Sequence, residues 1–483
     1  MNKKTISESK NKLVCIIKNL ELFYRYIFDF VNRNILCFFA LCVFDFTFVI
    51  INIFKRITVL GILFCVINIV FMFFSNKKKL TYIIFLLYPL SRVLKFRFLS
   101  TSFLTIFLFF YLLFMFFQTL LNKQKISRSR WIALIIFASY ITYTFAISLF
   151  NYKGFSLQNL FSYYLYLSIP IFAFVFTLDK TETGETWNLI ICSSSYLFGV
   201  IVTILFFNLI PNGEKLLEEA GVSIFNMGSS GIRYSPLTDD PNYGTSLILL
   251  IGNLFFLSPK NKKQKYIGIP IVVIALALSC FSISKMYILG FTVLLLCLVL
   301  KFCETKKNIY LNFFIIIFCI LACFVFLTTK LGNELLVRII GKTDGISLNR
   351  ITSGRVDLFG QYSSYILSNP TVVVFGKGPL FADLSYFTQG EHNTFTKSIF
   401  GNGILGTTLM LIIFVIMSKY RFDNYEKKYF SFVTFSLLFS IFLCCMSLGI
   451  STSTIFPIFV TASQFSRVSE TKIININCKV INI

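Results

Sequence analysis

Asn308-Ile-Tyr-Leu-Asn-Phe-Phe-Ile-Ile-Ile-Phe-Cys-Ile-Leu-Ala-Cys-Phe-Val-Phe-Leu-Thr-Thr329 carries no charged residue and no alternation of polar with apolar positions. At 1.5 Å of rise per residue, about 20 such residues cross the roughly 30 Å hydrocarbon core of a bilayer as a helix. A strand of a membrane barrel would instead alternate over about ten residues. Lys306 and Lys307 precede the run and Lys330 follows it, so its charges fall at the two margins. The stretch predicts a transmembrane helix.

The rest of the chain repeats the pattern. Of 483 residues, 56% are hydrophobic and only 14% charged, with 61 Phe. That is about 270 apolar residues, material for about 13 spans, and it excludes an ordinary soluble enzyme. Apolar runs lie at 34–53, 57–75, 80–94, 99–121, 131–150, 158–178, 187–210, 243–258, 266–283, 285–300, 308–329, 396–418, 429–447 and 450–464. The reading is an all-α, polytopic helical membrane protein of about 12–14 transmembrane helices, with a long outer loop carrying short helices.

Charge orders these runs. Basic clusters at Lys77 to Lys79, Lys123 to Arg130, Lys260 to Lys265, Lys301 to Lys307 and Lys419 to Lys428 all fall on the side of the basic N-terminus. The positive-inside rule then puts both termini in the cytoplasm. The predicted organisation is a cytoplasmic tail (1–33), N-terminal transmembrane helices (34–210) and an outer loop (211–242). Further transmembrane helices (243–329), a long outer loop (330–394), C-terminal transmembrane helices (395–464) and a cytoplasmic tail (465–483) complete it. Two clusters break the rule, because Lys55 with Arg56, and Arg92 with Lys95 and Arg97, face outward in this scheme. A net charge of +24 would suggest nucleic acid in a soluble chain, but here it flanks membrane spans and fits anionic lipid. The 13 Cys lie mostly inside apolar runs without CxxC spacing, as small core residues rather than metal ligands. Asp45, inside the first span, is an intramembrane charge and so a functional candidate.

The outer side gathers the polar chemistry: Arg233, Asp239, Asp240 and Asn242, then Lys285 at a helix junction, then Arg350, Arg355, Glu391, His392 and Asn393. His392 is the only histidine. Guanidinium and ammonium groups converging without matching carboxylates suit a phosphate or pyrophosphate. Ordinary solvated loop charges are the competing account. Asp240 and Asn242 read as helix caps, and Glu391 as a carboxylate placed by the helix dipole.

The order of these fragments adds to that reading. Gly231-Ile-Arg-Tyr-Ser-Pro-Leu-Thr-Asp-Asp-Pro-Asn242 opens into an apolar helix, Ser282-Ile-Ser-Lys285 joins two spans, and Ser353-Gly-Arg355 precedes Asn369-Pro370 and Phe375-Gly-Lys-Gly-Pro379. Glu391-His-Asn-Thr394 then opens a span containing Gly401-Asn-Gly-Ile-Leu-Gly406. Over about residues 228–418 this series resembles the O-antigen ligase and O-antigen polymerase superfamily of membrane glycosyltransferases. Lys285 stands where that family usually has Arg. The resemblance implies transfer of a glycan from undecaprenyl pyrophosphate to a sugar hydroxyl on the outer face of the cytoplasmic membrane, inverting and without metal or other cofactor. It implies catalytic roles for His392, Arg355 and Arg233. Substrate contacts would come from Lys285, Arg350, Asn393, Asp240, Asn242 and Glu391. The implied partners are an undecaprenyl-pyrophosphate-linked oligosaccharide, membrane lipids, a flippase and a chain-length regulator, with no nucleic acid. A repeat-unit polymerase of capsule or exopolysaccharide type is the leading expectation. The alternatives are a ligase delivering glycan to lipid A core, protein or wall polymer, and, from another class, a transporter or flippase of lipid-linked sugars.

The topology is directly testable. Cysteine placed at Ser347, in the loop 330–394, should react with an impermeant thiol reagent in intact cells. Labelling that requires permeabilisation would reverse the scheme.

Overall fold

The computed structural model describes residues 18–94 (without 20), 102–121, 126, 128–151, 157–176, 183–222, 225–226, 232–233, 237, 241–305 (without 259), 328–329, 332, 355–379, 393–422 and 432–447. The predicted span 308–329, apart from its last two residues, and the predicted span 450–464 lie outside these. The chain is an all-α, polytopic membrane protein. Among the described residues seven helices are long and apolar enough to cross a membrane, and three shorter ones are strongly apolar.

The helices are α1 (21–33), α2 (Ile35–Phe54), α3 (Thr58–Phe73), α4 (Lys77–Leu87), α5 (Phe103–Leu121), α6 (Arg128–Phe150), α7 (Leu157–Phe176), α8 (Thr183–Leu209) and α9 (Gly213–Glu219). A two-residue hairpin, β1 (Phe225–Asn226) and β2 (Ile232–Arg233), follows. After it come α10 (Pro241–Leu257), α11 (Lys262–Leu278), α12 (Lys285–Thr305), α13 (Arg355–Ser368), α14 (Pro370–Phe375), α15 (Thr394–Phe422) and α16 (Phe432–Ser447). The short helices α13 and α14 occupy the segment predicted as a long loop carrying short helices.

Local sequence sets the helix starts. Asn34 accepts from Leu36 N to open α2, and Asn76 accepts from Lys79 N to open α4. Asn261 and Gln264 form a reciprocal capping box on α11. Packing is aromatic where the sequence is richest in Phe: Phe48 stacks on Phe64 at 4.1 Å, and Phe64 meets Phe103 and Phe107 at 5.6 Å each. In lipid such contacts hold helices together by close packing rather than by escape from water. Asp45 is fully buried between α2 and α3, where Asn68 Nδ2 donates to its Oδ1 at 2.9 Å.

Three features depart from the sequence reading. The segment 1–33 is not simply a tail, because 21–33 is helical and docked. Tyr24 packs on Phe73 and Phe74, while Asn32 donates to Phe74 O and accepts from Asn76 N. The span predicted at 80–94 begins earlier and ends at Leu87 in a 3-10 turn, Tyr88–Leu90, and residues 80–90 are buried on every side. Eleven residues rise only about 16 Å, so α4 is an internal strut rather than a lipid-facing span. Lastly, two lysines of the cluster Lys77 to Lys79 act as plugs. Lys77 Nζ is buried and donates to Thr119 Oγ1 (2.7 Å) and Phe176 O (2.9 Å), closing the ends of α5 and α7. Lys79 Nζ donates to Val31 O and Asn34 O at the α1–α2 junction.

These contacts define one end of the bundle. The starts of α2, α4 and α6 and the ends of α1, α3, α5 and α7 meet there, with Arg130 of α6 over the Phe174 ring of α7 at 5.5 Å. At the opposite end α2 and α8 finish side by side, with Phe54 and Phe206 4.8 Å apart.

Lys77→Met should cost about 1–3 kcal/mol, since it leaves the Phe176 carbonyl and the Thr119 hydroxyl without their buried donor. Lys78→Met, whose ammonium lies over the Tyr82 ring, should lose less. Thermal unfolding in detergent would read the difference, and equal midpoints would contradict the plug.

Candidate functional site

The break between α11 and α12 supplies one part of the site. The chain leaves α11 through a 3-10 turn, Ser279–Ser282, and Ile283 then takes left-handed angles, φ 48° and ψ 38°. A β-branched residue in that region costs of order 1–3 kcal/mol, and such strain collects where a particular geometry matters. Beyond it Ser284 Oγ donates to Asn242 Oδ1 at 2.8 Å, joining the start of α12 to the start of α10. Lys285, half-buried, is the first residue of α12. Asn242 lies inside the first turn of α10, so it is a tether to Ser284 rather than the predicted cap.

The break is recessed. Ser279 Oγ donates to Tyr196 Oη at 3.0 Å, and Ser195 Oγ donates to Leu86 O, so α4 and α11 both finish against the middle of α8. From Tyr196, α8 runs on for about 20 Å before ending at Leu209. The starts of α10 and α12 lie at the α11 break, and each helix start carries a partial positive charge. With the Lys285 ammonium they form a cationic spot suited to an anion.

The second part lies at the end of α6 remote from Lys77. Asn369-Pro370 opens α14, with Pro in the first helical turn where its missing N–H costs nothing. The helix stops at Gly376, whose φ of 78° suits glycine. Lys377 N then donates to Phe400 O (2.8 Å) and Gly378 N to Gly401 O (2.7 Å), laying the Phe375-Gly-Lys-Gly-Pro379 stretch against the first turns of α15. α15 is kinked at Gly403, φ 63° and ψ −178°. A Cβ on Gly376 would sit 2.5 Å from both Gly401 O and Gly403 N, and one on Gly403 would collide with the Val374 carbonyl oxygen. Tyr143 Oη of α6 lies 3.0 Å from Phe375 O and 3.2 Å from Asn402 O, so one hydroxyl pins both glycine stretches. Next to this clamp is a cavity of about 330 Å³ lined by Tyr143, Ile147, Asn151, Val372, Gly376 and Lys377, within the size range of small-ligand sites.

Asn393 begins α15. Its Oδ1 accepts from Phe395 N (2.8 Å) and Thr396 N (3.3 Å), an N-cap, and its Nδ2 faces Met446 Sδ of α16 at 3.7 Å. Asn393 therefore holds the helix start immediately after His392, a positioning role. α16 packs on α10 and α12 as well as α15, so one helix touches both parts of the site. α13 is held to α15 by the Tyr362 ring standing perpendicular on Phe400 at 5.5 Å.

Of the residues singled out in the sequence, Asn242 and Lys285 are brought together through Ser284. Arg233 sits in β2 opposite Phe225, and Arg355 is the first residue of α13. Arg350, Asp240, Glu391 and His392 lie outside the described residues. Sequence reasoning missed Tyr143 and gave Lys377 no role. Tyr143 lies within an apolar run without local signal, whereas Lys377 stood between the two glycines already quoted. Among the described residues no group of three or more His, Cys, Asp or Glu side chains is placed to hold a metal. Comparison of the chain with protein-family models and with curated proteins finds no match to either.

Gly403→Ala should force the two glycine stretches apart, with a loss of about 2–4 kcal/mol. A lowered thermal midpoint of the purified protein in detergent is the expected reading. A midpoint equal to wild type would mean that the kink tolerates a side chain.

Proposed function

We propose that the protein is a membrane glycosyltransferase of the polysaccharide-polymerase type, acting at the outer face of the cytoplasmic membrane on undecaprenyl-pyrophosphate-linked glycan. The observation that carries this reading is the clamp of Gly376 and Gly378 on Gly401 and Gly403. Two fragments separated in sequence, each part of the ordered series that suggested the family, lie in direct contact. They border a cavity with a lysine, a tyrosine and an asparagine in its wall, and the second of them lies in the helix that opens just after His392.

The chemistry assigned to the site is a single displacement at the anomeric carbon. The acceptor hydroxyl oxygen forms the new bond, the bond from that carbon to the pyrophosphate oxygen breaks, and the electron pair leaves with undecaprenyl pyrophosphate. His392 takes the hydroxyl proton and returns it to water. Arg233, Arg355 and Lys285 oppose the negative charge that develops on the leaving group, helped by the starts of α10 and α12. Asn393 fixes the backbone beside the base. Attack from the face opposite the leaving group inverts the sugar.

His392→Gln separates base from scaffold, because it keeps a polar side chain while Asn393 still caps α15. The variant should bind lipid-linked substrate and turn it over about a hundredfold more slowly. Arg355→Ala and Arg233→Ala should abolish polymer while the protein still inserts, with Arg→Lys restoring activity only in part. Full-length polymer from either alanine variant would contradict the cationic role, and full turnover by His392→Gln would make that residue structural.

A further inference from the structure

The two connections that break the charge rule meet. Arg56, between α2 and α3, and Arg92, after the turn that ends α4, both lie at the end of the bundle opposite Lys77. Arg92 Nε donates to Gly221 O at 2.7 Å. Arg56 Nη2 and Arg92 Nε both fall within 3.8 Å of the point that a Cβ on Gly221 would occupy.

Arg92 has a structural reason to be there. Gly221 closes α9 in a reversed turn, with Gly221 N donating to Glu218 O (2.8 Å) and Val222 N to Leu217 O (2.9 Å). A cation is favoured at that carbonyl end. Arg56 has no such account. Its Nε is buried with no hydrogen-bond partner among the described residues. Burial and the neighbouring Arg92 charge both work against its cationic form, and Glu219 offsets them only in part. Glu219 is in turn shared with Lys215, 4.0 Å away. Guanidinium does not shed its proton in proteins, so the excess positive charge calls for an anion. A phosphate group has enough acceptor oxygens to take hydrogen bonds from both side chains at once. Phe54, Ile57 and Val59, on either side of Arg56, are exposed, which puts the pair at the margin of the lipid-facing surface.

We propose that Arg56 and Arg92 hold a phosphate group at the end of the bundle opposite Lys77, borne either by a phospholipid headgroup or by a soluble phosphate compound.

The test uses the purified full-length protein with Arg56→Gln, and with Arg92→Lys, which keeps a cation for Gly221 O. Native mass spectrometry would count phosphatidylglycerol molecules retained, and calorimetry in neutral detergent would measure inorganic pyrophosphate. If the site takes a headgroup, Arg56→Gln loses one retained phosphatidylglycerol while pyrophosphate binding, including any at the Lys285 site, is the same in both proteins. If it takes a soluble phosphate, pyrophosphate binding weakens roughly tenfold or more in Arg56→Gln and less in Arg92→Lys. Thermal midpoints of the variants within error of wild type would exclude a folding defect as the cause. Equal lipid retention together with equal or absent pyrophosphate binding in wild type and Arg56→Gln would overturn the proposal. None of these readings depends on glycosyl transfer, so the site stands or falls separately from the proposed function.

Discussion

Inside a bilayer no water is at hand to complete a broken hydrogen bond, so every helix that stops short must find protein partners for its freed backbone groups. Much of what is distinctive in this chain follows from that constraint. Lys77 serves the carbonyl end of α7 and Lys79 that of α1. Asn393 serves the amide end of α15, and Arg92 the carbonyl end of α9. Each is a polar or charged side chain spent on a helix terminus, and each lies where the helices depart from simple crossing.

The same constraint explains how much was legible in the sequence. Composition and apolar run length report a helix that faces lipid, so most predicted spans agree with the structure to within a few residues at each end. They do not report neighbours. The run at 80–94 reads like its companions, yet α4 is enclosed on all sides and half the needed length, because α5 and α8 cover it. Lys77 reads as a flanking charge because nothing in the local sequence announces Thr119 or Phe176.

For the site, the fragments that carry backbone geometry were the readable ones. Gly376 and Gly403 need angles or approaches that only glycine allows, and such positions stand out in an apolar chain. Tyr143 was invisible because its role depends on two carbonyls more than two hundred residues away. Asn242 was placed correctly at the start of its helix, but as its cap rather than as a residue inside the first turn. Ser284, 42 residues later, takes its side chain once the α11–α12 break folds back beside α10. Arg56 and Arg92 showed themselves only as violations of a topological rule, and the structure turns those two separate violations into one shared location.

The recessed break at Ile283 has an electrostatic consequence. Mobile salt ions weaken a charge pair only where they can approach it, over a distance of about 8 Å at physiological ionic strength. The ion pairs Arg25–Glu21 and Arg33–Asp29 are open to solvent, with arginine side chains 72% and 83% exposed, and added salt would largely erase them. Lys285 is half-buried at the start of α12, beside an α11 break that finishes against the middle of α8, so helices replace electrolyte over part of its surroundings. A charge so placed keeps its reach across changes in ionic strength that leave the surface of the molecule electrically mute.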